Sequence, residues 1–159
     1  MDKKWYFKPF VISVLISLGT GYLSSLLSTD MRGIYNNINK PFFAPPGSLF
    51  APVWIILYLL MAIAAYRIYS EDPERQDIKD ALFYYGAQLI FNFMWSILFF
   101  RFVLPGVAFL DLAILLLFVI ITTVKFWRID KAAGVLMIPY VIWLIYAALL
   151  NYSILRLNS

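Results

Sequence analysis

The sequence predicts an all-α integral membrane protein, one domain over residues 1–159 folded as a bundle of five transmembrane helices. Three observations carry that expectation. Apolar residues make up 63% of the chain and charged residues 14%, whereas soluble domains sit near half and a quarter. The mean hydropathy is +0.80. Five apolar stretches, each near the ~20 residues a bilayer core requires, alternate with short segments that hold most of the charge.

Composition also removes chemistry. The chain contains no cysteine and no histidine. Disulfides, thiol and imidazole catalysis, the usual zinc sites and the usual protein ligands of haem iron are therefore excluded. The net charge of +4 is spread over the ends of spans instead of forming a tract. It reads as membrane orientation and not as a nucleic-acid surface.

In order, a head with Lys3, Lys4 and Lys8 precedes a first span predicted over about 10–27. Lysines before an apolar run also open signal peptides. No small-residue cleavage site follows and four more spans do, so the segment is expected to remain a helix. Ser13, Ser17, Gly21 and Ser25 share one face of it, which favours close helix packing over a polar track for a substrate. A loop over about 30–48 follows. Pro41, Pro45 and Pro46 hold it irregular and Tyr35, Phe42 and Phe43 make it aromatic. It is expected to lie over the bundle as a lid, continuing into a second span over about 50–69 with Pro52 in its first turn.

The polar segment about 70–80 is expected to be a solvated connection. The third, fourth and fifth spans are predicted over about 81–100, 107–124 and 132–155. A tight turn at Pro105-Gly106 separates the third from the fourth, and Pro139 is expected to bend the fifth. Nine basic residues (Lys3, Lys4, Lys8, Arg67, Arg75, Lys79, Lys125, Arg128, Lys131) fall on one side of the spans. Four (Arg32, Lys40, Arg101, Arg156) fall on the other. The positive-inside rule then puts the N-terminus in the cytoplasm and the first loop outside.

Polar side chains at membrane depth are costly and usually face the bundle interior. Here they are Gln88, Asn92, Asp111 and Asn151. Asp111 is expected either to sit at a helix end satisfied by nearby donors or to face a pocket. Trp54 with Tyr58, Asn92 with Trp95, and Tyr140 and Trp143 with Ala147 combine large aromatics with polar or small residues on single faces. Such rows are either packing and interfacial belt or the wall of a pocket for a flat apolar molecule. In the second case Trp54, Asn92, Trp95, Trp143 and Ala147 line one cavity, and Ala147→Phe fills it without harming the fold.

Several of these residues fall into recognisable motifs. The run from Asn39 through Lys40, Pro41, Phe42, Phe43, Ala44 and Pro45 to Pro46, followed by Pro52-Val53-Trp54, resembles the signature loop of the TspO/MBR (translocator protein, peripheral-type benzodiazepine receptor) family. Asn92–Ser96 with Phe99 and Phe100, Asp111, and Pro139 through Trp143 and Ala147 to Asn151-Tyr152 are similar to that family's third, fourth and fifth helices. Phe43 departs from the family's usual tryptophan. Leu150, Tyr152 and Arg156 also fit a proposed sterol-binding pattern.

The resemblance implies a bacterial-type homodimer in the cell membrane that binds tetrapyrroles such as protoporphyrin IX or haem. Synthetic isoquinoline and benzodiazepine ligands belong to the same expectation, with no obligatory cofactor, no metal and no nucleic acid. The implied ligand-binding residues are Tyr35, Pro45, Pro46, Trp54, Tyr58, Asn92, Trp95, Tyr140, Trp143, Ala147 and Asn151. Two other functions accompany the resemblance. One is light- and oxygen-dependent porphyrin breakdown with Trp54 and Trp143 as the reacting indoles. The other is transport, for which the sequence shows neither inverted repeats nor paired broken helices.

Overall fold

The structure is a computed structural model that describes residues 6–159; Lys3 and Lys4 of the head lie outside the described residues. Six α-helices follow one another: α1 (Phe7–Leu27), α2 (Met31–Asn37), α3 (Phe50–Tyr69), α4 (Gln76–Ser96), α5 (Pro105–Ile129) and α6 (Lys131–Asn158). All but α2 are long and apolar enough to cross a bilayer, and no strand occurs among the described residues. Helices are what lipid permits, because an α-helix satisfies its own backbone donors and acceptors. Around the bundle α1 packs on α3 and α4, α3 on α6, α6 on α5, and α5 on α4, which closes a ring. Leucines, isoleucines and phenylalanines such as Leu15, Phe83, Ile90 and Ile142 remain exposed on the outside, the surface lipid would cover.

The small-residue face of α1 does what its spacing predicts at its first positions. Ser13 Oγ donates to Ala62 O at 2.7 Å, and Ser17 Oγ shares a 2.5 Å hydrogen bond with the Tyr85 hydroxyl. A Cβ on Gly21 would overlap the Tyr58 ring, so glycine is what lets α1 and α3 close. Ser25, by contrast, is exposed and does not enter the packing.

Several elements differ from the sequence expectation. The loop over 30–48 contains α2, initiated by Asp30. Asp30 adopts φ 43° and its carboxylate accepts from Gly33 N at 3.1 Å. A side chain at Gly33 would strike that carboxylate, so the short helix depends on Asp30 and Gly33 together. Pro105 opens α5 in place of forming a turn with Gly106, since a first-turn proline loses no helical hydrogen bond. The polar segment about 70–80 gives its second half to α4, where Gln76 Nε2 donates to Asp80 Oδ1 at 2.8 Å one turn on. Charged residues had concealed that turn from a hydropathy reading.

At the end of the bundle away from the loop, Arg67 of α3 pairs with Asp130 at 2.7 Å, and Asp130 also caps α6 through Ala132 N. Just beyond that cap, Gly134 lies against Trp127, and a Cβ there would come within 2.7 Å of the Trp127 Cα. Backbone cannot step aside as a side-chain tip can. Gly134→Ala is expected to destabilise by about 1–3 kcal/mol through overpacking. Gly86→Ala, with open space around it, is expected to be neutral or slightly stabilising from alanine's better helix propensity. Thermal unfolding of the two variants in the same detergent makes the comparison.

Candidate functional site

Trp54, one turn into α3, is the hub of an aromatic cluster. Its ring centroid lies 5.6 Å from Tyr58, 6.1 Å from Tyr140, and 6.4 Å from both Trp95 and Trp143. Three helices supply those rings, α3, α4 and α6. Below the cluster runs a buried chain of hydrogen bonds. The Tyr58 hydroxyl donates to Asn92 Oδ1, Asn92 Nδ2 donates to the Tyr140 hydroxyl at 2.6 Å, and that hydroxyl donates to Gln88 Oε1 at 3.1 Å. Gln88 Nε2 ends it 3.7 Å from Met61 Sδ. A second bridge links Trp95 Nε1 to Asn151 Oδ1 at 3.1 Å, and Asn151 Nδ2 donates to Pro105 O at 2.8 Å, joining α4, α6 and α5.

Two spaces flank Trp54. On the α6 side, Trp95, Trp143, Ala147 and Asn151 close around a slot of only about 20 Å³. On the α1 side a cavity of about 540 Å³ lies between α1, α2, the start of α3 and the end of α4. Trp54, Tyr58, Trp95 and Phe100 give it an aromatic wall, and Gly21 and Ser25 of α1 stand in its lining. Tyr35 and Phe50 border both spaces.

The structure thus divides the residues singled out from the sequence. Trp54, Trp95, Trp143 and Ala147 border one space, but that space is the slot and is too small for a macrocycle. Asn92 lies behind it in the hydrogen-bond chain together with Tyr140, both buried. A phenyl ring at Ala147 would therefore overpack the slot, which corrects the expectation that Ala147→Phe leaves the fold unharmed. Pro45 contributes a backbone carbonyl to Tyr35, and Pro46 precedes the 3-10 turn Gly47–Leu49; neither lines the cavity. Leu150 points into the slot while Tyr152, beside Phe109, and Arg156 are exposed, so the three sterol-pattern residues do not share a surface. Asp111 is the seventh residue of α5, buried, beyond the helix end and outside both spaces. Its Oδ2 and Trp143 Nε1 are buried without a hydrogen-bond partner among the described residues. What sequence reasoning missed is the α1 and α2 side of the cavity, including Leu18, Ser24, Met31 and Arg32. Ser24 falls outside the four-residue rhythm of α1, and Arg32 carried no motif.

The loop is stitched down over these spaces. The Tyr35 hydroxyl donates to Pro45 O at 2.7 Å, and Lys40 Nζ reaches the carbonyls of Tyr35 and Ile38 at 2.5 and 3.2 Å, closing off α2. The Tyr146 hydroxyl of α6 donates to Phe43 O at 2.8 Å, while Asn158 bonds both backbone groups of Asn39. Burial, with a smaller contribution from Tyr146, pushes the Tyr35 hydroxyl from its ordinary value near 10 up to about 12. A raised tyrosine value means that the neutral form stabilises the folded loop fully below pH ~10, and that this stability is lost as pH climbs through ~12. The thermal midpoint in detergent is expected to fall over that window, and Tyr35→Phe to remove that part of the fall.

Asn92 makes a sharper test. Asn92→Leu leaves the Tyr58 hydroxyl without its acceptor and takes from the Tyr140 hydroxyl one of its two partners, Gln88 Oε1 remaining, and is expected to cost roughly 2 kcal/mol, whereas Tyr58→Phe removes one donor and costs about 1 kcal/mol or less. Thermal midpoints in detergent distinguish them.

With this geometry in place, comparison with known proteins is informative. The family model described as TspO/MBR family matches residues 11–157. The chain is 33% identical over 144 residues to the Tryptophan-rich protein TspO of Chlorobaculum tepidum, covering 90% of this chain and 91% of that protein. It is 40% identical over 124 residues to the Tryptophan-rich sensory protein of Cereibacter sphaeroides, covering 78% and 76%. The Translocator protein of Sus scrofa is 34% identical over 146 residues, covering 90% and 85%.

Proposed function

The chain belongs to the TspO/MBR family, and from that premise we propose that it binds tetrapyrroles of the protoporphyrin IX or haem type, for handling or sensing them. The observation that carries this reading is the 540 Å³ cavity walled by Trp54, Tyr58, Trp95 and Phe100. That volume is in the range of small-molecule sites, and indoles and phenols offer stacking faces to a flat apolar ring. No cluster of metal-ligating side chains occurs among the described residues. Recognition then rests on the ring and its substituents, and metal-free porphyrin is taken as readily as haem. The distribution of basic residues supports a bacterial cell membrane orientation with the N-terminus inside and the α2 loop outside. A homodimer fits the same family reading.

Light-dependent breakdown of the bound ring, with molecular oxygen as oxidant, is a second reading. It is favoured by the chain of indoles that begins at the cavity wall. The geometry shifts its residues: Trp54 and Trp95 border the cavity, while Trp143 stands behind Trp54 on the slot side. Transport finds no comparable feature.

Titration of the purified protein with protoporphyrin IX, in darkness and then under illumination, tests both. Saturable quenching of tryptophan fluorescence is expected in darkness, weakened several-fold by Ser25→Phe, whose ring enters the cavity from an exposed position of α1. Absence of saturable binding overturns the proposal. Under light, loss of the porphyrin bands faster than in detergent alone, slowed by Trp54→Phe or Trp95→Phe, supports the second reading; equal rates remove it.

A further inference from the structure

Arg32 is the second residue of α2, outside the membrane-spanning helices, and among the described residues it is the one charged residue lining the 540 Å³ cavity. Its side chain has no ion pair or hydrogen bond among the described residues. The neighbouring charges are otherwise engaged. The Asp30 carboxylate accepts from Gly33 N, Lys40 Nζ is held by the carbonyls that end α2, and Arg101 Nη1 donates to Leu27 O at 3.4 Å. Among the described residues no acidic side chain lines the cavity. From its start at Phe50, α3 carries Trp54 and Tyr58 ~6 and ~12 Å deeper along the same wall. The cavity is therefore polarised, with Arg32 at its α2 end and aromatic rings along α3 further into the bundle.

That polarity matters more in a bilayer than it would in water. Lipid tails are as apolar as the cavity wall, so burial of an apolar ring alone discriminates poorly between a ligand and a lipid chain. A cation at the α2 end supplies the discrimination, because a guanidinium offers a planar fork of donors that a carboxylate fills two at a time. We propose that Arg32 is a specificity-determining residue that anchors a ligand carboxylate, holding a carboxylate-bearing macrocycle with its apolar body toward Trp54. This inference rests on the tetrapyrrole reading above and adds to it the ligand edge that is recognised and the residue that recognises it.

The probe pair is protoporphyrin IX and its dimethyl ester, which share the ring and differ in charge. Affinities are measured in darkness for the full chain in neutral detergent. Wild type is expected to bind the diacid about tenfold more tightly, the lower end of what a hydrogen bond to a charged group contributes. Arg32→Gln is expected to lose that preference while keeping its affinity for the diester, and Arg32→Lys to keep part of it. Raising the salt concentration is expected to shrink the wild-type preference, since the pair sits at the surface. Ser48→Glu, an exposed position on the same lining, is expected to weaken the diacid selectively. Equal wild-type affinity for the two probes overturns the role of Arg32 and leaves tetrapyrrole binding standing. A parallel loss of both affinities in Arg32→Gln, with thermal stability unchanged, also overturns it. Wild type that binds neither probe overturns the tetrapyrrole reading and this inference with it.

Discussion

The bundle is held in one arrangement by the amide of Asn92. An asparagine on α4 at the middle of a membrane protein would be expensive if its donor and acceptor went unpaired, since hydrocarbon offers nothing in exchange. Here the oxygen takes the Tyr58 hydroxyl of α3 and the nitrogen gives to the Tyr140 hydroxyl of α6. One side chain thus fixes the rotation of three helices about their axes. Apolar packing could not do this as sharply, because a leucine face tolerates sliding against lipid or protein alike. Once α3 is turned so that Tyr58 meets Asn92, Trp54 one turn away must face the bundle as well, and the aromatic cluster follows.

The same rotation decides which side of Trp54 is full and which is empty. Toward α6, Trp95 and Trp143 come from two helices already fixed by the amide chain, and the remaining gap closes to about 20 Å³. Toward α1 the hydrogen bonds near the loop run to α4 and the turn that follows it, not to α3. The hydrogen bonds of α1 to its neighbours run from Ser13 and Ser17 to Ser24, and its last turn ends at Leu27 beside Arg101. Beyond Gly21 the helix stands apart from α3, so space is left under α2 and the loop. The lysine-capped, proline-stiffened loop spans that space instead of filling it.

Much of this could be read from residue spacing, and where it could not the cause is physical. Periodicity put Trp54, Trp95, Trp143 and Ala147 on inward faces, and hydropathy located every span. Hydropathy is blind to short polar helices. The Asp30 cap and Gly33 that make α2 lie in a segment that looks irregular, and the Gln76–Asp80 turn of α4 is helical because its side chains bond along the axis, not because it is apolar. Spacing also cannot say whether inward faces touch. A ring of aromatics can enclose a pocket or close on itself, and only the helix separation decides. This is why Trp143 and Ala147 border only the slot and Asn92 neither space, while Trp54 and Trp95 also wall the roomier space, whose other side is made of serines and a glycine.

The end of α4 shows how the chain shapes the wall between those two spaces. From Ile97 to Arg101 the helix widens into a π turn, with Phe102 N reaching back to Ile97 O at 3.1 Å. In a regular α-helix neighbouring residues point about 100° apart, so consecutive large rings rarely both face inward. The widened turn brings successive side chains closer in direction, and Phe99 and Phe100 are indeed both buried, with ring centroids 4.8 Å apart. Both border the slot, and Phe100 also reaches the cavity. Immediately afterwards Val103 is forced to φ 53°, a conformation that a β-branched residue resists. Strain of order 1–3 kcal/mol persists only where surrounding structure over-determines it. Here the determinants are the Leu104 N bond to Leu98 O on one side and the proline-initiated α5 on the other. The extra residue that the π turn absorbs is what sets two phenylalanines beside Trp95, and the backbone of Val103 bears the cost of returning the chain to α5.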